Sequence, residues 1–363
     1  MRYTCIESFC GAGGLGTGLK KAGFSLLWAF DSNAAAVETY RLNVSSKAEV
    51  ADALKLDIKE AMSKMGLKKG ELTLLAGGPP CQGFSKQKRN GEKGDKRNRL
   101  IVKYVRLVQA IEPKFFLMEN VDMFNKKRGK VYLALLIGGL KENYGIHVRE
   151  INCADFGVPQ SRKRTIIVGV RKDIGSEYVF PSSTHSLNSW VTVGQALRPL
   201  MKFEPPSDGS NHEKFPNHSI PKISEANIER ISYVPQGSGR KCLPRRLQLP
   251  CHKKKTGWPD VYGRMQVNKP ASTITGGFDN FTRGKFAHPF KNRPITAREA
   301  ALLQGFDLYY EFKGTKGDVR SQIGNAVPPI IGELLGKSII EYLEKNETRN
   351  NMLSELVSST CNK

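Results

Sequence analysis

At 363 residues the chain holds enough material for one large domain or two ordinary ones, so no disulfide or metal staple is needed to give it a core. Its formal net charge of +23 calls for a polyanionic partner, nucleic acid before any other, because solubility alone is better served by acidic residues. With no run of about 18 apolar residues and no basic-then-apolar opening segment, a soluble, unsecreted, cytoplasmic protein with no membrane contact is expected.

In chain order the pattern first gives a strand at Tyr3–Ser8, a glycine-rich loop (FCGAGGLGTGL), and a helix reaching Lys21. A strand at Ser25–Phe30 ending at Asp31 comes next, then helices over Asn33–Asn43 and Leu54–Met65. Short apolar runs at Leu72–Ala76 and Phe115–Glu119 read as buried strands around a helix at Leu100–Ile111, and Ile146–Asn152 and Thr165–Val170 add two more. Strands and helices alternating at this pitch predict a doubly wound α/β sheet. After Arg171 prolines scatter and basic residues accumulate, among them Arg240, Lys241, Arg245, Arg246 and Lys253 to Lys255, which predicts a smaller, irregular, β-rich unit. Helical pattern resumes at Thr296–Gly305, an amphipathic helix follows the GNAVPP segment, and Lys345–Lys363 is polar and expected to fray. The expected division is 1–175 the α/β unit, 176–285 the irregular unit, 286–345 a return to the α/β unit, and 346–363 a polar tail.

Gly77–Ser85, GGPPCQGFS, mounts Cys81 behind two prolines at the end of a buried strand. Prolines stiffen the exit from the strand, and the glycines leave room for a ligand, which favours a reactive thiol over a packing one. The seven cysteines, at 5, 10, 81, 153, 242, 251 and 361, form no CxxC pair, so reduced thiols are expected. Cys242, Cys251 and His252 lie too far apart for a zinc knuckle and lack a fourth ligand, so no metal is expected.

Gly11, Gly13 and Gly14 supply a turn where a ligand can approach backbone, and Asp31, about 20 residues on at a strand end, stands where a ribose acceptor belongs. The spacing is GxGG, a poor match to the dinucleotide fingerprint. Ligands of open α/β sheets sit at the carboxyl ends of the strands, so the glycine loop and the Cys81 loop should face one crevice. Asp52 could close a third side as acceptor for an adenine amine, or could simply cap a helix.

Taken in order, FCGAGGL, GGPPCQGFS, Glu119-Asn120-Val121, Gln160-Ser161-Arg162-Lys163-Arg164, REAALLQGF and QIGNAVPP resemble the motifs of the DNA (cytosine-5)-methyltransferase family, bacterial or phage type, over nearly the whole chain. The resemblance implies a Rossmann-like sheet that binds S-adenosylmethionine, GNAVPP lying beside the glycine loop, and a target-recognition domain in the irregular segment. Double-stranded DNA is the implied partner. A cognate endonuclease encoded nearby but not bound is a further expectation, as is a monomeric enzyme. The alternatives are a tRNA cytosine-5 methyltransferase and a catalytically inactive DNA-binding homologue.

The resemblance also assigns roles. Cytosine C5 is too weak a nucleophile to take a methyl group directly, so Cys81 would add to C6 of a base flipped from the duplex. Glu119 would meet N3, held protonated by burial; Arg164 would bond the cytosine carbonyl oxygen, and Arg162 would orient the loop or a phosphate. Lys163, between them, should point away. On the cofactor side Phe9 would stack near adenine, Gly11, Gly13 and Gly14 would approach the methionine portion, and Asp31 would take the ribose; Asp52 would take the adenine amine, with Pro80 and Asn325 completing the site. Family members often have an aromatic after the Asp31 position, where Ser32 stands here. The basic stretch after Cys81 resembles the family's mobile catalytic loop. DNA contacts are expected from its Gln82, Ser85, Lys86, Arg89 and Arg97, and from Arg240, Arg245, Arg264 and Thr275 in the recognition segment.

Overall fold

Strands buried on both faces read as near-continuous apolar runs, and such runs pair in parallel at the centre of a sheet. The computed structural model of the chain describes residues 2–80, 99–126, 129–250 and 260–361. In it β1 (Thr4–Ser8), α1 (Gly14–Ala22), β2 (Ser25–Asp31), α2 (Ala34–Asn43), β3 (Ala48–Val50), α3 (Ile58–Lys64), β4 (Leu74–Gly77), α4 (Arg99–Ile111) and β5 (Phe115–Val121) alternate as expected. They are followed by α5 (Lys130–Leu140), β6 (Tyr144–Asn152), the two-residue β7 (Gln160–Ser161) and β8 (Lys163–Arg171). The sheet order is β3-β2-β1-β4-β5-β8-β6, parallel through β5, with β8 antiparallel to both of its neighbours. The chain reverses direction across the sheet between β1 and β4, and there a crevice opens at the carboxyl ends of the strands.

Alternation along the strands divides the core. Cys5, Leu74, Ala76, Phe115 and Leu117 face one layer with α1; Ile6, Leu75, Phe116 and Met118 face the other with α4 and α5. The first layer is closed by α10 (Pro329–Cys361), which crosses α1 at close range. A Cβ at Gly14 would collide with the Val327 carbonyl, and one at Gly18 with that of Pro329. Only glycine lets the C-terminal return lie this near the glycine loop.

Three expectations are corrected. The predicted helix over Leu54–Met65 begins only at Ile58, because Asp57 caps it by accepting from the Lys59 and Glu60 amides, and 52–56 turns before it. The recognition segment is irregular but not β-rich: its described residues carry helices α6 (Val193–Leu197) and α7 (Glu225–Ser232), several single turns, and one two-residue strand, β9 (Ala271–Ser272), parallel to β7. Ile231, Val234, Leu243, Tyr262, Phe281 and Ala287 form its small core, while Met265, Ile274 and Phe278 pack into the main one. After α8 (Ala297–Leu303) and α9 (Lys316–Asn325), α10 runs on to Cys361 through the stretch expected to fray. Between Lys337 and Cys361 there is no glycine or proline to stop it.

Candidate active site

On the β1–β2 side, the loop from β1 into α1 passes through positive φ at Phe9 (53°), Gly11 (51°) and Gly13 (89°). For Phe9, a bulky residue, this conformation is strained, and it puts the ring beside Phe30 at 6.1 Å between centroids. A Cβ added at Gly11 would meet nothing within 4 Å, so the backbone there stands open to a crevice of about 1220 Å³. Asp31 ends β2 at this wall; its carboxylate accepts from Gly11 N (3.0 Å) and Asn33 N (2.9 Å). Burial raises the Asp31 carboxyl, and these backbone N–H groups pull it back down. Asp52, exposed, accepts from Leu54 N at 2.9 Å as a turn residue while also lining the crevice; it caps no helix. Phe9, Gly11, Gly14, Asp31, Asp52, Pro80 and Asn325 all line this one space. Gly13 lies behind the loop, against Tyr40 and Tyr310.

Sequence reasoning missed Glu7 on the crevice floor. It is 2 % exposed, accepts from the Tyr40 hydroxyl at 2.7 Å, and burial pushes its carboxyl up to about 8. A charged residue inside an otherwise buried strand was the available signal.

On the β4–β5 side, β5 pairs with β8 so that Glu119 faces Ile166 and Val121 faces Arg164. Glu119 and Arg164 are then diagonal neighbours on one face, within reach of long side chains. Arg164 Nε meets Glu119 Oε1 at 2.7 Å, with each side chain 12 % exposed. The pair forms because β8 delivers Arg164 to the same rim as Glu119. Asn120 donates to the Pro79 carbonyl at 3.2 Å and so fixes the segment leading to Cys81, and a Cβ on Gly78 would stand 3.5 Å from Glu119 Oε2. Cys81 itself, with Gln82, Ser85, Lys86, Arg89 and Arg97, lies outside the described residues.

Arg162 is 1 % exposed and donates to the carbonyls of Ile274 (2.9 Å), Gly324 (3.1 Å) and Ala326 (3.1 Å). It holds the recognition segment and the GNAVPP segment against β8; burial first, then the neighbouring Arg164, lowers its guanidinium to about 9. Gln160 assists, accepting from Ile274 N at 3.0 Å and donating to the Leu303 carbonyl (2.8 Å) and to Gln304. Lys163 is exposed, out of phase with Arg162 as strand alternation predicts, yet it reaches the crevice rim.

Of the expected DNA contacts, Thr275 lines the crevice, Arg245 is exposed and Arg240 half-buried. Arg264 is a correction. It is 6 % exposed, and its guanidinium spends all five N–H groups at 2.7–2.8 Å on Val234, His288, Lys291 and Ile231 carbonyls and on Asn292 Oδ1. No donor is left to meet a phosphate or a base.

A parallel sheet with one reversed strand next to its edge, and a glycine-loop crevice at its switch point, defines the class: a Rossmann-like methyltransferase fold. The chain belongs to the C-5 cytosine-specific DNA methylase family, whose profile matches residues 3–341, and is a DNA (cytosine-5)-methyltransferase. It is 32 % identical over 345 residues to Type II methyltransferase M1.HphI of Haemophilus parahaemolyticus, covering 94 % of this chain and 87 % of that one. It is 33 % identical over 362 residues to Type II methyltransferase M.NgoFVII of Neisseria gonorrhoeae, covering 97 % and 90 %. Among solved structures, a prophage-encoded DNA modification methyltransferase (E. coli) superposes with TM-score 0.74 at 24 % identity, over 94 % of this chain and 99 % of that one. S. pombe Dnmt2 has the same fold, with TM-score 0.62 at 16 % identity over 94 % and 99 %. Family and fold imply S-adenosylmethionine as methyl donor and DNA as substrate, and among the described residues no helix is long and apolar enough to cross a membrane.

Proposed function

We propose that the crevice holds S-adenosylmethionine on its β1–β2 side and a flipped cytosine on its β4–β5 side, and that the enzyme modifies one duplex sequence as the methyltransferase of a Type II restriction-modification pair. The observation that carries this reading is the Glu119–Arg164 pair at 2.7 Å, set in the same crevice as Gly11, Asp31 and Asn325. The open cradle before Gly11 and the carboxylate of Asp31 suit the donor: backbone that admits a ligand beside an acceptor for ribose hydroxyls. Phe9 would flank its adenine, with Asp52 at the amine and Asn325 closing the opposite wall. When bound, the donor supplies a methyl group on a sulfonium, an electrophile cytosine C5 attacks only after the ring is activated.

Activation falls to Cys81. Its thiolate adds at C6, electrons move toward N3, and Glu119 there provides the proton or strong hydrogen bond that stabilises the enamine. Arg164 is shared between Glu119 and the cytosine carbonyl oxygen, so it orients the acid and the base together. Arg162 positions β8, and with it Arg164, rather than touching the substrate. With the methyl group on C5, loss of the C5 proton to solvent water, release of the thiolate and return of the N3 proton to Glu119 complete turnover.

Bisulfite sequencing of DNA from cells expressing the protein is the test. Cytosines protected at one recurring sequence, and none with Cys81→Ala, are expected. Fully converted DNA despite folded, cofactor-binding protein would overturn the reading.

A further inference from the structure

The loop that cradles the donor takes positive φ at three alternate residues, one of them Phe9, so it needs holding from outside. Its backbone partners are Cys10 N to Phe30 O (3.1 Å), Gly13 N to Cys10 O (3.0 Å) and Thr17 N to Gly13 O (2.8 Å). Two side chains also grip it. One is Asp31 at Gly11 N, a carboxylate the ribose would share. The other is Tyr310, whose hydroxyl donates to the buried Ala12 carbonyl at 2.5 Å and stands 2.9 Å from where a Gly13 Cβ would be.

Tyr310 comes from the far end of the chain and is itself held. Arg298, fully buried, donates to the Tyr310 carbonyl at 2.5 Å and to those of Asp307 and Pro216. Asn43 on α2 clasps the next residue through both backbone groups, donating to Glu311 O (2.9 Å) and accepting from Glu311 N (3.1 Å). The Tyr310 ring packs between Phe306 (4.6 Å) and Phe312 (5.2 Å). A rigid strut therefore ends in one hydroxyl pressed against the cradle.

Resting on the reading of this crevice as the donor site, we infer that Tyr310 is a positioning residue for methyl-donor binding: its hydroxyl fixes the Ala12–Gly13 peptide in the conformation that receives the cofactor. It touches no reacting atom and acts through the loop alone. Removing the hydroxyl orphans a buried carbonyl and frees that peptide to turn, while the ring goes on filling its place.

The test is Tyr310→Phe in the full chain. Titration calorimetry with S-adenosylhomocysteine should show a Kd weakened about tenfold, the order expected for one orphaned buried carbonyl. Duplex affinity without cofactor should stay within twofold, and kcat at saturating donor should be kept while its KM rises. Should Tyr310→Phe not fold, Asn43→Ala, which loosens the same strut one residue on, should give the same split. Cofactor affinity within twofold of the parent, or equal losses for cofactor and DNA, would overturn the inference. A parent protein that itself fails to bind S-adenosylhomocysteine would instead sink the donor-site reading, and the inference with it.

Discussion

Arg264 separates a DNA contact from a structural one by measurement. Its five N–H···O bonds at 2.7–2.8 Å tie together α7's end, the turn after it and the 288–292 stretch. Hydrogen bonds to charged groups contribute about 1.5–3 kcal/mol each, a gross sum on the order of 10 kcal/mol. Truncation to alanine opens space that water enters and so restores part of this; about 3–5 kcal/mol is the net loss expected when one partner of a buried charged network is removed. Against a total stability of about 5–15 kcal/mol, that is enough to shift the urea midpoint visibly or to unfold the recognition segment by itself. Arg264→Lys, with three donors for five acceptors, should fall about midway. The paired assay is DNA affinity against salt. A lost phosphate contact would lower the slope of log K on log salt by about 0.9 and leave stability within about 0.5 kcal/mol. An unchanged urea midpoint with a reduced slope would refute the structural role.

Arg283 is the opposite case, exposed on the crevice rim and paired with no carboxylate among the described residues. Arg283→Ala should keep the urea midpoint and lower the salt slope by about 0.9, as read by fluorescence anisotropy on duplex DNA. Glu7 gives a pH signature. Burial raises its carboxyl from 4.5 to about 8, so the folded chain keeps a proton that the unfolded chain releases, and stability falls as pH rises through that window. Glu7→Gln should remove this fall, worth about 5 kcal/mol, and its melting temperature relative to the parent should climb between pH 5 and pH 8.5. Glu299 runs the other way. Burial raises it, but the two bonds from Arg293 at 2.8 Å outweigh burial and bring it to about 2. Its stabilisation is present above pH 4.5 and is lost as pH falls toward 2, so acid unfolding of Glu299→Gln should lose that component of its pH dependence.

What could be read before folding was whatever depends on local pattern. Parallel strands buried on both faces announce themselves as apolar runs, and the positions of β1, β2, β4, β5 and β8 were legible to within a few residues. Glycine and proline punctuation marked the loop after β1 and the Gly78–Pro80 segment after β4, both of which line the crevice. The recognition segment was misjudged because basic, proline-rich texture says nothing about what replaces a sheet. Here it is buried polar side chains on backbone carbonyls, with Arg264 inside the segment and Arg162 at its seam with the catalytic sheet. Arg264 and Arg245 look alike in sequence; one is spent and the other exposed, and only the tertiary contacts distinguish them. Arg162 and Arg164 share a motif yet part company for a reason already present in it. Gln160 and Arg162 lead into the seam, where carbonyls from three distant segments converge, while Arg164 has entered the β5 register and faces Glu119.

The same register accounts for why the proposed donor and cytosine sites share one crevice. β1 and β4 are neighbours in the sheet although about 70 residues apart in sequence, so the cradle after β1 and the Gly78–Pro80 segment after β4 leave adjacent strand ends in the same direction. β5 lies beside β4, and Glu119 at its end faces Gly78 closely enough that the space for a side chain there is nearly gone. Reversing β8 then returns Arg164 to this rim from the opposite direction, something a further parallel strand would not do without another crossover. The glycine loop, the Gly78–Pro80 segment, Glu119 and Arg164 thus occupy successive positions along one edge of the sheet. The distant C-terminal segment, pressed on the cradle by α10 and Tyr310 and on β8 through Arg162, keeps those positions in mutual register.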